Sequence, residues 1–149
     1  GIQFLLHILA ALPPEYTLHI AGAVQEPRFF NYLRYMGEEL KLWNTRLFFD
    51  NKQENVQEWL KDKDYVILSS PAEGNPNCII EALALGIKPC VHNFPGSLGQ
   101  FPKECMFNTI SEAVEIITSK QYHSARYREY AETHYDCMKQ YAKLERIMS

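Results

Sequence analysis

The chain has 149 residues, 46% of them apolar and 22% charged, with a formal net charge of −3. That is enough chain for one domain with its own core. It argues against nucleic acid as a partner, since there is no basic excess to neutralise phosphates, and no apolar run approaches the roughly 20 residues that cross a bilayer.

The elements follow in chain order. Phe4, Leu5, Ile8, Leu9 and Leu12 recur at helical spacing until Pro13-Pro14 stops them. Tyr16 to Ala21 reads as a strand ending at Gly22. Arg28 to Leu40 reads as a helix with Phe29, Tyr32, Leu33 and Met36 on its apolar face. Thr45 to Phe49 is a second strand, closed by Asp50-Asn51, and Asn55 to Lys61 a short helix with Val56 and Leu60 inward. Tyr65 to Ser69 is a third strand, apolar as a parallel strand covered on both faces should be. Pro76 to Leu85 is a helix, Lys88 to His92 a fourth strand and Cys105-Met106-Phe107 a short fifth. Ile110 to Thr118 is a helix, and Gln121 to the end is helical with a break near His134-Tyr135-Asp136. Strands alternating with helices over short connections predict βαβ units, hence an α/β fold with a Rossmann-like parallel sheet and helices on both faces. No repeat, low-complexity tract or linker interrupts it, so residues 1–149 read as one domain.

The chemistry concentrates in Ser70-Pro71-Ala72-Glu73-Gly74-Asn75-Pro76-Asn77, which follows the third strand, and in Glu81 on the helix beyond. Asn75 is the expected N-cap and Pro76 the first helical residue, with Gly86 ending the helix. Free N–H groups in the first turn, aided by the helix dipole, suit an anion. Gly74 lets a ligand approach the backbone closely. Glu81 lies five residues beyond Pro76, roughly 7.5 Å along the axis. A diphosphate at the helix start would therefore have one carboxylate on each side. Carboxylates repel phosphate, so they would accept from sugar hydroxyls, one sugar on each side, which describes a nucleotide-sugar. Among fourteen glutamates about one pair at this spacing arises by chance, so the pair alone does not separate this reading from a purely structural turn. The preceding strand, the Gly-Asn-Pro turn and the cap signals favour the ligand.

At these residues the chain resembles the C-terminal domain of retaining GT-B glycosyltransferases of family 4. Their pattern S-x-x-E-G-x-x-x-x-x-x-E-A-x-A-x-G is matched in register by Ser70, Glu73, Gly74, Glu81, Ala82, Ala84 and Gly86. The flanking strands Leu18-His19-Ile20-Ala21-Gly22, Asp64 to Ser69 and Lys88-Pro89-Cys90-Val91 are similar too. The resemblance implies that Glu73 is the catalytic-site carboxylate, positioning the transferred sugar rather than acting as a nucleophile. It implies that Ser70, Gly74, Asn75, Pro76 and Asn77 surround sugar and diphosphate, that Glu81 binds the ribose, that Phe49 and Asn51 seat the base mainly through backbone, and that Gly22 borders the phosphates. The donor would be a UDP-, GDP- or ADP-sugar, with no further cofactor and no metal. Asp62-Lys63-Asp64 has DxD spacing but reads as a solvated turn before a strand.

The chain also departs from that family. Gly1 aligns with the glycine of a Lys-Gly pair, so the lysine, an arginine and the strand before them would lie upstream. The acceptor-binding N-terminal domain would be absent as well. The expectation is a donor-binding fragment of a two-domain enzyme, inactive alone, whose sheet has a gap, a new pairing or a strand supplied by a partner. Rival readings are a non-catalytic Rossmann-like binding domain and a nucleotide-sugar epimerase of the same architecture. The opening Gly1-Ile2-Gln3-Phe4 lacks a basic n-region, and the four cysteines lack metal or CxxC spacing. Reduced thiols, with Cys78 and Cys90 in apolar packing, and a cytoplasmic location, with peripheral contact at the inner face of a membrane, are expected. His92, at a strand end, is a lesser candidate for facing the cleft, and the tyrosine-rich tail reads as ordinary helix packing.

Overall fold

In the computed structural model, residues 1–138, 141, 145 and 147 are described. The first helix, α1 (Ile2–Ala11), buries Leu5, Leu6, Ile8 and Leu9, and stops where Leu12 turns extended before the two prolines. The Leu12 N–H donates to the carbonyls of Ile8 (3.0 Å) and Leu9 (3.2 Å) but leaves its own carbonyl and the helix dipole without a side-chain cap. Arg46, more than thirty residues away, supplies one: Nη2 donates to the carbonyls of Leu9 (3.0 Å), Leu12 (3.1 Å) and Pro13 (2.7 Å), and Nε to that of Tyr16 (2.8 Å). A guanidinium suits this place because its fork of donors and fixed charge meet the negative end of the helix dipole.

Strand β1 (Leu18–Ala21) pairs in parallel with β2 (Leu47–Asn51), Leu18 opposite Leu47, with a bulge between Ile20 and Ala21. Between them runs α2 (Pro27–Glu39), whose buried residues are Leu33 and Gly37, with Phe30 edge-on to Trp43 and Phe49. Phe29 and Tyr32, expected inward, stand on the exposed side at 38% and 48%. The α2 helix packs on α1 and the β1–β2 pair through Phe30, Leu33, Met36 and Gly37, a stripe rotated by one position from the expected one. After α3 (Val56–Leu60) comes β3 (Tyr65–Leu68), then α4 (Asn77–Ala84) and β4 (Lys88–His92), paired in parallel with β3 from Tyr65 opposite Lys88. A 3₁₀ turn (Lys103–Cys105) leads to β5 (Met106–Phe107), also parallel to β4. Helices α5 (Ile110–Thr118) and α6 (Ser124–His134) complete the chain up to the expected break at Tyr135-Asp136; most of the tail expected to be helical lies outside the described residues.

The apolar clusters divide between two faces. On one, α1, α2 and α5 pack on Leu18, Ile20, Leu47, Tyr65, Ile67, Cys90 and Phe107. On the other, α3, α4 and α6 pack on Val66, Leu68 and Val91. This is the expected α/β layering with helices on both sides of parallel strands. The sheet itself is split. Strands run β1-β2 in one piece and β3-β4-β5 in the other, with no pairing of β1 to β3. Of the three expectations for the sheet, the gap is what is found. A cavity of about 880 Å³ lies in it, walled by Leu18–Ala21 on one side and Tyr65–Ile67 on the other.

Candidate functional site

The carboxyl ends of β1, β2 and β3 carry the residues singled out from sequence. Gly22 follows β1, and its N–H donates to the carbonyl of Asn51 at 2.8 Å, tying the ends of β1 and β2 together. Asn51 is the last residue of β2 rather than part of a turn after it, and has φ +58, a conformation asparagine tolerates better than most residues. The Phe49 side chain is turned into the α1–α2 face, 5.0 Å edge-on from Phe30 and 5.4 Å from Trp43. Asp50 braces this end of β2 from the opposite face: its Oδ2 accepts from Trp59 Nε1 (2.8 Å) and lies 2.9 Å from His19 Nδ1, while its carbonyl accepts from Gln53 Nε2.

Beyond β3, Ser70 is half-buried and Glu73, Gly74, Asn75 and Asn77 are exposed. The expected cap does not form. Pro76, extended at ψ 96, is itself the N-cap, and α4 starts at Asn77 with no side-chain cap. A proline ring fixes φ but leaves ψ open, so it serves the cap position as readily as the first turn. The Pro76 carbonyl accepts from Ile79 (3.1 Å) and Ile80 (3.4 Å). The Cys78 thiol lies against the N–H groups of Ile79 and of its own residue. Desolvation raises its pKa, and the carboxylates of Glu73 and Glu81 raise it further. Both carboxylates thus lie near enough to the first turn of α4 to act on the Cys78 thiol. Cys78 is exposed, not core; Cys90 is buried as expected.

At the far end of α4, Gly86 has φ +74, and its N–H donates to the Leu83 carbonyl while that of Ile87 reaches Ala82. A Cβ there would lie 2.2 Å from Ser124 Oγ, so glycine is required both by conformation and by the approach of α6. Nothing lies within 4 Å of the space beside Gly74. What fixes the Glu73-Gly74 turn was not readable from the motif: Gln100 Nε2 donates to the Gly74 carbonyl at 3.3 Å, and Tyr135 OH in turn donates to the Gln100 carbonyl. His92 is half-buried, its ring set edge-on to Phe4 and Phe107, with Nδ1 buried and lacking a hydrogen-bond partner. Tyr127 and Tyr135 of the tail pack inward, Tyr135 over Phe101. Among the described residues, no three His, Cys, Asp or Glu side chains cluster as metal ligands, and no helix is long and apolar enough to cross a membrane.

The family model of the glycosyl transferases group 1 matches residues 1–133, which include this strand, turn and helix. The chain belongs to the glycosyl transferases group 1. No curated protein matches it. Among solved structures, Anabaena HepE in complex with UDP and glucose superposes with a TM-score of 0.89 at 19% identity, over 99% of this chain and 44% of that one. The apo lipopolysaccharide outer core galactosyltransferase WaaB gives 0.76 at 20% identity, over 91% of this chain and 41% of that one. WaaG, a glycosyltransferase involved in lipopolysaccharide biosynthesis, gives 0.71 at 18%, over 92% of this chain and 39% of that one. These likenesses establish the GT-B C-terminal fold. This group 1 chain spans less than half the length of each.

Proposed function

We propose that this chain is the donor-binding half of a retaining glycosyltransferase, taking a nucleoside-diphosphate sugar at the carboxyl ends of β1, β2 and β3. The observation that carries the reading is the uncapped first turn of α4 with Glu73 and Glu81 close to it. Backbone N–H groups at a helix start stabilise phosphate charge, and they do so most where charge develops on a departing diphosphate. Glu81 accepts from the ribose hydroxyls and Glu73 positions the transferred sugar; neither is placed as a nucleophile. Ser70, Gly74, Asn75, Pro76 and Asn77 surround the sugar and diphosphate, Gly22 borders the phosphates, and the backbone of Phe49 and Asn51 meets the base. The donor needs no organic cofactor or metal in this reading. The acceptor is bound by an N-terminal domain outside the 149 residues, in a cytoplasmic enzyme that contacts the inner face of a membrane. HepE, crystallised with UDP and with UDP-glucose, supports a nucleotide-sugar as the ligand class.

Calorimetric titration with UDP, GDP, ADP and their glucose conjugates tests this. One base should bind saturably, and Glu81→Ala should weaken it by about 1–3 kcal/mol, the worth of a charged hydrogen bond, or roughly 5- to 150-fold. Glu73→Ala should spare the free diphosphate and weaken only the sugar conjugate. Affinities for ribose and deoxyribose nucleotides that Glu81→Ala leaves unchanged from those of the native chain would remove Glu81 from the ribose role.

A further inference from the structure

The end of β2 is held from several directions. On the α1–α2 face the Phe49 ring lies edge-on to Phe30 at 5.0 Å and beside Trp43 at 5.4 Å. On the opposite face the Asp50 carboxylate joins three elements through one oxygen: Oδ2 accepts from Trp59 Nε1 of α3 at 2.8 Å and lies 2.9 Å from His19 Nδ1 of β1. Toward β1 the Asn51 carbonyl accepts the Gly22 N–H at 2.8 Å, and the Asp50 carbonyl accepts from Gln53 Nε2. The partners of Asp50 are themselves fixed. The His19 ring stacks on Phe48 at 4.9 Å. Lys63 Nζ lies 4.9 Å over the Trp59 ring, and the next residue, Leu60, is buried with Ala82 and Ile87 and so anchors α3. Bonds to an ionised carboxylate are about twice as strong as those between neutral groups. A brace of this kind, one residue before an asparagine at φ +58, sets the peptide planes on both sides of position 50.

We propose that Asp50 is a positioning residue for the nucleobase of the donor, acting through Trp59 and His19 to fix the main chain of Phe49 and Asn51. The inference rests on the donor-binding reading above and names what sets its choice of base. A base presents a fixed pattern of donors and acceptors, and a site built to match one pattern rejects another because its own groups are then left unpaired. Main-chain groups do this only if they stand still, to within about 0.5 Å of the productive geometry. A strand end free to move would have to be ordered at the moment of binding, which costs affinity and lets the seat adjust to any base. Side chains alternate along a strand, so Phe49 and Asp50 grip opposite faces, and neither residue alone holds the end of β2. The aromatic grip on Phe49 is apolar and tolerates sliding. The carboxylate supplies the directional part, because its bonds to Trp59 and His19 weaken steeply with angle and distance.

Calorimetric titration of the native chain, Asp50→Ala, Asp50→Asn and Trp59→Phe with UDP, GDP and ADP tests the assignment, with urea denaturation of each protein to show that it is folded. The native chain should prefer one nucleotide. Asp50→Ala should weaken that nucleotide roughly tenfold and the other two much less, so that the preference shrinks. Asp50→Asn, whose amide oxygen still accepts from Trp59, should keep most of the preference. Trp59→Phe keeps an aromatic ring in place and deletes the N–H; it should reproduce the loss, and it carries the test if Asp50→Ala does not fold. An unchanged preference in folded Asp50→Ala or Trp59→Phe overturns the proposal. So does an equal fall for all three nucleotides, which a merely structural brace would give. A native chain that binds the three alike also overturns it, whereas one that binds none of them overturns the donor-binding reading beneath it.

Discussion

Arg46 holds the carboxyl end of α1 through four charge-assisted bonds to main-chain carbonyls. Arg46→Ala should lower unfolding stability by about 2–3 kcal/mol, because its charge-assisted bonds to the carbonyls at the end of α1 are lost, and Arg46→Lys should not restore it, since one ammonium cannot reach the same spread of carbonyls; urea denaturation of the three proteins checks both. Lys88, 4% exposed, does the same for α5, donating to the carbonyls of Ile116 (2.6 Å) and Gln121 (2.9 Å) and to Ser119 Oγ (2.8 Å). Burial lowers its pKa from the ordinary lysine value of 10.5. Burial pushes the thiols the other way, Cys105 up to about 12 and Cys90 further, and it raises Tyr65 and Tyr135 to about 12. Groups whose folded pKa is raised lose their contribution as pH climbs from their unfolded value toward the folded one. Stability should therefore fall between about pH 9 and 12. The single lowered lysine opposes this only by relief as its proton leaves. Replacing both Cys90 and Cys105 by Ala should flatten the first part of that fall, near pH 9 to 10, in denaturant melts run against pH. None of these long-range anchors was legible in the sequence, where Arg46 and Lys88 look like any cation beside a strand. A residue's partner thirty positions away follows from the fold and not from local spacing.

At the scale of elements, periodicity carried the order of strands and helices, and the glycosyltransferase pattern carried the placement of Glu73, Glu81 and Gly86 around α4. Two local readings failed for physical reasons. Pro76 took the cap that Asn75 was expected to fill, since its ring constrains φ alone, and α2 turned Phe29 and Tyr32 outward because the stripe it packs on α1 and the β1–β2 pair is rotated by one position. The first of these yields a contrast. Helix α5 has a complete capping box, Thr109 Oγ1 accepting from Glu112 N–H at 3.2 Å and Glu112 Oε2 from Thr109 N–H at 3.1 Å. Thr109→Ala should cost about 1 kcal/mol of stability, whereas Asn75→Ala, which removes no cap, should stay within about 0.5 kcal/mol; thermal melts compare the two. The Gln100 bridge to Gly74 was hidden for the same reason as Arg46: the loop that carries it follows β4, and only the parallel pairing of β3 and β4 brings its tip to the Glu73 turn.

The whole molecule is two parallel sheet pieces sharing two helical layers, with the proposed donor site along one end and a cavity of about 880 Å³ between the pieces. Family membership was readable from one seventeen-residue segment, and a gap was among the sheet arrangements expected from the alignment of Gly1. Its width and apolar lining required the fold. The split offers two places that a binding curve alone would not tell apart, the strand ends and the cavity between the sheet pieces. Amide chemical-shift mapping during titration with UDP-glucose addresses the first directly. The account predicts shifts confined to the carboxyl ends of the strands, at Gly22, Asn51, Gly74, Asn77 and Glu81, with Leu9, Leu18 and Tyr65 unmoved. Shifts centred on Leu9, Leu18, Trp59 and Tyr65 would instead make that cavity the ligand site and contradict the donor-binding reading of the Glu73–Glu81 turn.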